Sequence, residues 1–253
     1  MSTAPHAGSP MPFSGDTMPS TPKHYAQKLH LLEALRDARP GDPLPTEREL
    51  AEHWGTSRTT IRQALSALEA EGRIVREQGR GTFVAPPPMV HVRSLTSLSE
   101  DFGEEPLDSR VLGIVETRAG GDPERDIAAV LGLEAGSPVT RVERVRLHEA
   151  TPLAHEIAYL PGTYPGLASA LAERGSLYAT LRDEYGVELA VVDDEIGTAL
   201  AGPDDAERLG VAVGHPLLLV ERVARSADGV AREYTRSRFR GDRFRFVAHG
   251  QRP

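Results

Sequence analysis

The stretch "TSRTTIRQALSALEAEGRI", residues 56–74, decides the fold of the first third of the chain. Ile61, Ala64, Leu65 and Leu68 recur at helical spacing and make one apolar stripe. Ser57 stands where an N-cap belongs, and Gly72 ends the pattern. The first turn is odd for a helix that buries a face. Arg58 and Arg62 lie one turn apart with Thr59 between them, and all three point away from the stripe. Such a turn is either a solvated face or the face that meets a polar macromolecule.

Two helices precede this one. Thr21-Pro22 offers a cap followed by proline, and Tyr25, Leu29 and Leu32 repeat at helical spacing until Pro40-Gly41. "LPTERELAEHW" (44–54) begins the second, with Thr46 and Glu49 at capping-box spacing and Leu50, Ala51 and Trp54 as its apolar face. Two short strands follow at 73–77 and 82–85, joined by "QGRG". Three helices and a hairpin within residues 21–85 make a winged helix-turn-helix. "PPP" at 86–88 opens a stiff linker, assigned to 86–93. Residues 1–20 are rich in Pro, Ser, Gly and Thr and read as a disordered tail. They lack the basic start and apolar stretch of a signal peptide.

In that unit the polar turn has a use. Recognition helices read base edges in the major groove with side chains near their N-terminus. Arginine offers two donors to guanine, which suits Arg58 and Arg62, and Arg48 on the preceding helix could reach the same groove. Ser57 and Thr60 could donate to phosphates. Gly79 and Gly81 would let the wing backbone approach a duplex, with Arg80 suited to the minor groove. The expected DNA contacts are therefore Arg48, Ser57, Arg58, Thr59, Thr60, Arg62, Gly79, Arg80 and Gly81, on double-stranded DNA. The plainer alternative is a solvated face in which Ser57 only caps the helix.

Charge is consistent with this division. The formal net charge is −8, yet residues 21–85 carry ten Lys/Arg against nine Asp/Glu. The acidic excess lies beyond residue 85, so a near-neutral head can still bind DNA if its arginines share one face. The chain has no cysteine, which excludes disulfides, thiolate nucleophiles and Cys-based zinc sites and suits a cytoplasmic location. No apolar run is long enough to span a membrane.

Residues 94–250 alternate expected strands (110–118, 139–148, 153–159, 188–199, 217–226, 231–239) with helices (123–131, 165–174, 177–185, 204–209). The fold class is α+β with a mainly antiparallel sheet. "LGLEAGSPVTRVERVR" (131–146) echoes "LGVAVGHPLLLVERVAR" (209–225) at an offset of 78, which suggests two similar halves with a cleft between them. On the first copy, Thr140, Val142, Arg144, Arg146 and His148 share a strand face. Two adjacent arginines repel unless an anion or carboxylate sits between them, so they form a candidate clamp. Glu156 could pair across the hairpin, as ligand contact or as a structural salt bridge. The second copy keeps Arg222 but has Ala224 opposite Arg146, so the clamp is one-sided. "SLTSLSEDF" (94–102) is a hydroxyl-rich loop beside the linker, of a kind that binds anions or simply caps helices.

The N-terminal residues resemble the GntR family of bacterial transcription regulators. "LPTERELAEHWGTSRTTIRQALSALEAEGRIVREQGRGTFVA" (44–85) meets nearly every position of that family's pattern, with Trp54 where Phe is usual. The resemblance implies a dimeric repressor on a short palindrome. Residues from about Ser94 to Ala248 resemble the UTRA effector domain of the HutC subfamily, related in fold to chorismate lyase. The carriers are "LTSLSEDF", "VERVRLHEATPLAHEIAYLP", "SLYATLRDEYG" and "REYTRSRFRGDRFRF". The similarity is greatest to members that respond to amino-sugar phosphates. It implies a phosphate held by Thr96, Ser97, Arg144 and Arg146, and a sugar held by Glu156, Tyr178 and Glu233. Phe239 stands where such proteins have Tyr, and "HEATP" (148–152) replaces their usual turn. A carboxylate such as urocanate is the alternative effector.

Two other classes compete. An enzyme would fit the lyase-like fold, but no Gly-rich phosphate loop, nucleophile elbow or zinc-binding His pair occurs. His148 and His155 fall near each other on the hairpin and lack a third ligand. An effector-independent DNA binder would not need so large a second domain. The expected chain is a homodimeric regulator with a small anionic metabolite as effector, and without cofactor, metal or catalytic residues.

Overall fold

The computed structural model describes residues 22–92, 107–120 and 125–247. Helix α1 spans Lys23–Ala34, α2 spans Glu47–His53 and α3 spans Arg58–Ala70. Strands β1 (Ile74–Glu77) and β2 (Gly81–Val84) pair antiparallel as the wing. The N-cap of α1 is Pro22, with no side-chain cap; proline thus sits one position earlier than the Thr21 cap implied. Thr46 and Glu49 form both halves of the capping box on α2. The α3 stripe is the core of the head: Ile61, Ala64, Leu65 and Leu68 are buried against Leu31, Leu50, Ala51 and Ile74. Each leucine or isoleucine among them contributes roughly 1.5–3 kcal/mol by leaving water.

The stretch expected to be a linker is not all linker. Strand β3 (Met89–Val92) pairs in parallel with β10 (Phe244–Val247), near the far end of the chain. Between them lie β4 (Asp108–Arg118), α4 (Ile127–Leu131), β5 (Pro138–His148), β6 (Thr151–Pro161), α5 (Leu167–Arg174) and α6 (Leu177–Tyr185). β7 (Val191–Leu200), α7 (Pro203–Leu209), β8 (Pro216–Arg225) and β9 (Ala231–Arg240) complete the order. Six strands form one antiparallel sheet in the order β4-β5-β6-β9-β8-β7. Asp126, not Pro123, opens α4 by capping the amide of Ala129 at 3.2 Å.

The internal repeat is real in three dimensions. Pro138 opens β5 and Pro216 opens β8, and the preceding helices end at Gly132 and Gly210, both with φ 65°. The two halves meet at β6 and β9, which pair from Ala154↔Phe239 to Tyr159↔Tyr234. That pairing joins them into one continuous sheet, so the halves are not parted by the expected cleft. α5 and α6 cover one face over Val142, Ala158 and Leu160. α4 covers the other over Val139, Tyr159 and Tyr234, and α7 packs beside it over Leu217.

Candidate functional site

The DNA-directed candidates lie on α2, at the start of α3 and at the tip of the wing. Ser57 accepts a hydrogen bond from the Thr60 amide at 3.1 Å, and their hydroxyls lie 2.9 Å apart. Ser57 is thus the N-cap of α3. Arg58 and Thr59 project from the first turn and are exposed, and Arg58 makes no hydrogen bond or ion pair among the described residues. Arg62 is engaged: Nη2 donates to Glu47 Oε2 at 2.8 Å and Nε lies 3.1 Å from both carboxylate oxygens. Hydrogen bonding from Arg62 holds the Glu47 carboxyl below its ordinary range. Arg48 stands 3.8 Å from Glu52 on α2. At the wing tip, Gly79 (φ 75°) and Gly81 (φ 127°) adopt conformations that favour glycine. Arg80 between them pairs with Glu77 and lies over the Phe83 ring.

The second cluster lies on the α5/α6 face of the sheet, over the β6–β9 junction. Cross-strand register puts Arg144 opposite Glu156, and Glu156 opposite Ser237. Arg144 Nη2 is 3.1 Å from Glu156 Oε2, and Ser237 donates to Glu156 Oε1 at 3.2 Å. The Arg144 contact is an ion pair without hydrogen-bond alignment, because Glu156 Oε2 accepts no hydrogen bond. Arg146 is 2 % exposed, donates to the Leu107 carbonyl at 3.3 Å and lies 4.0 Å from Glu156. Burial, with Arg144 adding to it and Glu156 opposing, pushes the Arg146 guanidinium down to about 10.

Glu233 enters from β9 and is 1 % exposed. Burial raises its carboxyl above the ordinary range, against the pull of the Tyr178 hydroxyl, Arg144 and Arg222. Burial and the neighbouring Glu233 carboxylate push the Tyr178 phenol well up. The face therefore brings together Arg144, Arg146, Glu156, Tyr178 and Glu233. Thr96 and Ser97 lie outside the described residues.

Several buried polar atoms here lack hydrogen bonds. They include Arg144 Nε and Nη1, Glu156 Oε2, Glu233 Oε2, Thr235 Oγ1 and Ser109 Oγ, the last on β4 opposite Arg146. Leaving such groups unmade costs about 1–3 kcal/mol each, more when charged, so their concentration in one place makes this face a candidate ligand site. The arrangement has an anion-seeking end at Arg144 and an end at Glu233 that seeks hydroxyl or amine donors.

The chain matches the gntR family of bacterial regulatory proteins over residues 28–84 and the UTRA domain over residues 107–245. It belongs to that family. Its second domain is a UTRA domain, as in the HutC branch, and it is a transcription regulator and not an enzyme. The repressor NagR of Bacillus subtilis is 34% identical over 224 residues, covering 85% of this chain and 88% of its own. The repressor PhnF of Mycolicibacterium smegmatis is 36% identical over 227 residues, covering 89% and 91%. A crystal structure of PhnF from Mycobacterium smegmatis superposes with a TM-score of 0.61 at 35% identity, covering 88% of this chain and 98% of its own.

Two residues on this face do not stand out in the sequence. Ser109 and Ser237 sit beside the arginines only because β4 and β9 are drawn into register with β5 and β6. Arg222 is the second-copy counterpart of Arg144, but Asp194 holds it in a fork (Nε–Oδ1 2.8 Å, Nη2–Oδ2 3.0 Å). His155 is not a neighbour of His148. It pairs with Val145 and points to the opposite face, where its ring lies 2.8 Å from Asp205 and 3.0 Å from Glu143. The "HEATP" turn places Glu149 and Ala150 at positive φ (46° and 67°).

Proposed function

We propose that the chain represses transcription as a homodimer on a palindromic operator, and that a small anionic metabolite in the UTRA domain controls that binding. The observation that carries the effector reading is the buried Arg144 guanidinium, with Nε and Nη1 lacking hydrogen bonds, in a cluster that also holds Arg146. A phosphate or carboxylate would satisfy those donors in planar, charge-assisted geometry. The orphaned Glu233 oxygen at the other end favours a ligand that also carries hydroxyl or amine donors, and an amino-sugar phosphate has both. Thr96 and Ser97 would complete the anion site.

Repression is supported by the two relatives that bear the name of transcriptional repressor. Operator contacts are assigned to Arg48, Ser57, Arg58, Thr59, Thr60, Arg62, Gly79, Arg80 and Gly81. Two copies would set their α3 helices in successive major grooves, roughly 34 Å apart. Apolar side chains exposed along both edge strands, Val111, Leu112 and Val115 on β4 and Val191, Ile196 and Leu200 on β7, give a second copy surface to bury.

The test is fluorescence anisotropy of the purified protein on DNA from upstream of its own gene, across several salt concentrations. It is run with and without glucosamine-6-phosphate, N-acetylglucosamine-6-phosphate and urocanate. Tight, salt-dependent binding that a sugar phosphate modulates is the expected result. Binding indifferent to every anion would overturn the effector reading and leave a plain DNA-binding protein.

A further inference from the structure

The sequence "RFRGDRFRF" (238–246) joins β9 to β10, and its turn touches the DNA-reading head. Gly72 follows the last turn of α3 with φ +67°. A Cβ built on it would stand 2.0 Å from the backbone oxygen of Asp242 and 2.7 Å from its carbonyl carbon. No side chain fits that gap, and the obstruction is backbone, which has no rotamer to change. Glycine is therefore required at position 72 twice over, once for its left-handed conformation and once for this approach.

The turn is braced from behind. The Asp242 carboxylate is 7 % exposed and meets His215 Nε2 at 3.0 Å, Arg240 Nε at 3.1 Å and Arg240 Nη2 at 2.7 Å. Arg243 Nε adds a contact at 3.7 Å. Burial opposes charge on Asp242, yet the bonds from His215 and Arg240 hold its carboxyl well below the usual carboxylate range. Gly241 donates its amide to the Pro216 carbonyl at 3.2 Å, which ties the turn to the start of β8.

Among the described residues, no helix or strand of the head packs extensively on a helix or strand of the effector domain. A cleft of about 590 Å³ opens beside the contact, lined by Leu32, Leu35, Arg73, Pro87 and Arg245 among others. A narrow contact beside an open cleft lets a few atoms decide the angle between two domains. β9 runs straight from this turn to Ser237 and Glu233 on the candidate effector face.

We infer that the β9–β10 turn is the docking surface by which the effector domain holds the DNA-reading head, with Gly72 admitting the contact and Asp242 presenting it. Where the proposed effector site is correct, a ligand that shifts β9 moves the seat of α3 directly.

The chain lacks cysteine, so Glu33→Cys on α1 and Glu207→Cys on α7, both exposed, can be spin-labelled without background. Double electron–electron resonance on the full chain, diluted with unlabelled protein, then reads the head-to-domain distance. Gly72→Asn tolerates positive φ but adds the obstructing Cβ. Gly55→Asn is the matched control, since Gly55 has φ +58° and nothing within 4 Å of a built Cβ. The expected result is a shifted, broader distribution for Gly72→Asn and the wild-type distribution for Gly55→Asn. Asp242→Ala lies outside the head, leaves α3 intact, and should broaden the distribution too; it decides the matter if Gly72→Asn does not fold. Wild-type distributions in Asp242→Ala and in folded Gly72→Asn would overturn the inference. The measurement uses neither DNA nor metabolite, so its failure is separate from any failure of the proposed function.

Discussion

Arg62 on α3 is held by Glu47 on α2, with Nη2 2.8 Å from Oε2 and Nε 3.1 Å from both oxygens. The fork–fork pair joins two helices of the head. It restrains a side chain proposed to meet bases and, in the proposed complex, would set a carboxylate beside the path of the phosphates.

Glu47→Gln should therefore strengthen DNA binding. Arg62 is exposed and Glu47 half-buried at the surface, so loss of the pair changes fold stability little. Removing one negative charge from the face raises affinity for any duplex, while Arg62→Ala lowers discrimination at one base pair by about 1–3 kcal/mol. Anisotropy titrations on operator and unrelated DNA check this. Weaker operator binding by Glu47→Gln would mean that Glu47 aims Arg62 instead of restraining it.

The two sites should separate under mutation. Arg58→Ala is expected to abolish operator binding while metabolite binding, followed by calorimetry, stays as in the wild type. Arg144→Ala should do the reverse. Because Glu156 is 6 % exposed, removing only Arg144 leaves its buried carboxylate with Ser237 and the more distant Arg146, and lowers stability by less than the roughly 3–5 kcal/mol of an uncompensated buried charge. The paired Arg144→Met/Glu156→Gln variant should recover most of that stability in denaturant melts without recovering metabolite binding. Equal damage to both activities by each single substitution would refute the division.

How much of this was legible depended on sequence distance. The α3 stripe, the capping box and the Arg144–Glu156 pair are local, set by helical period, a three-residue cap and a hairpin whose register can be counted. β3 and β10 were not legible. "MVHV" follows three prolines and is too short to announce a strand, and its partner lies more than 150 residues on. Periodicity reports which face of a strand is buried, not which strand it joins. For the same reason Ser109 and Ser237 emerge only with the sheet order. Arg62 read as available to DNA because nothing in α3 itself shows that Glu47, 15 residues earlier, takes its guanidinium.

Acid should expose the ionic cluster on the α4/α7 face. Glu143 there faces Arg141 on its own strand, His155 on β6 and Arg208 on α7, while Asp205 holds the other ring nitrogen of His155 and meets Arg238 of β9. Burial opposes the Glu143 charge, but its hydrogen bonds with Arg141 and His155 draw its carboxyl from 4.5 down to about 2. The folded value is the lower one. The stability it supplies is thus complete above the unfolded value and fades as pH falls from 4.5 towards about 2. Glu143→Gln should melt at lower temperature than the wild type at neutral pH, with the gap closing across that window. A constant gap would show that the residue acts by packing and not by charge.

Glu233 should separate the two ends of the effector. Its carboxyl is buried and its Oε2 is unsatisfied, and in the proposed site Arg144 and Arg146 would hold the anion end without it. Glu233→Gln keeps the shape but replaces one acceptor oxygen with a donor. Hydrogen bonds to charged groups are worth about 1.5–3 kcal/mol, so binding of glucosamine-6-phosphate should weaken roughly ten- to hundredfold. Inorganic phosphate, which needs only the arginines, should bind as it does to the wild type. Calorimetric titration of both ligands into both proteins decides it. Equal losses for the two would mean that Glu233 holds the site together through Tyr178 and touches no ligand.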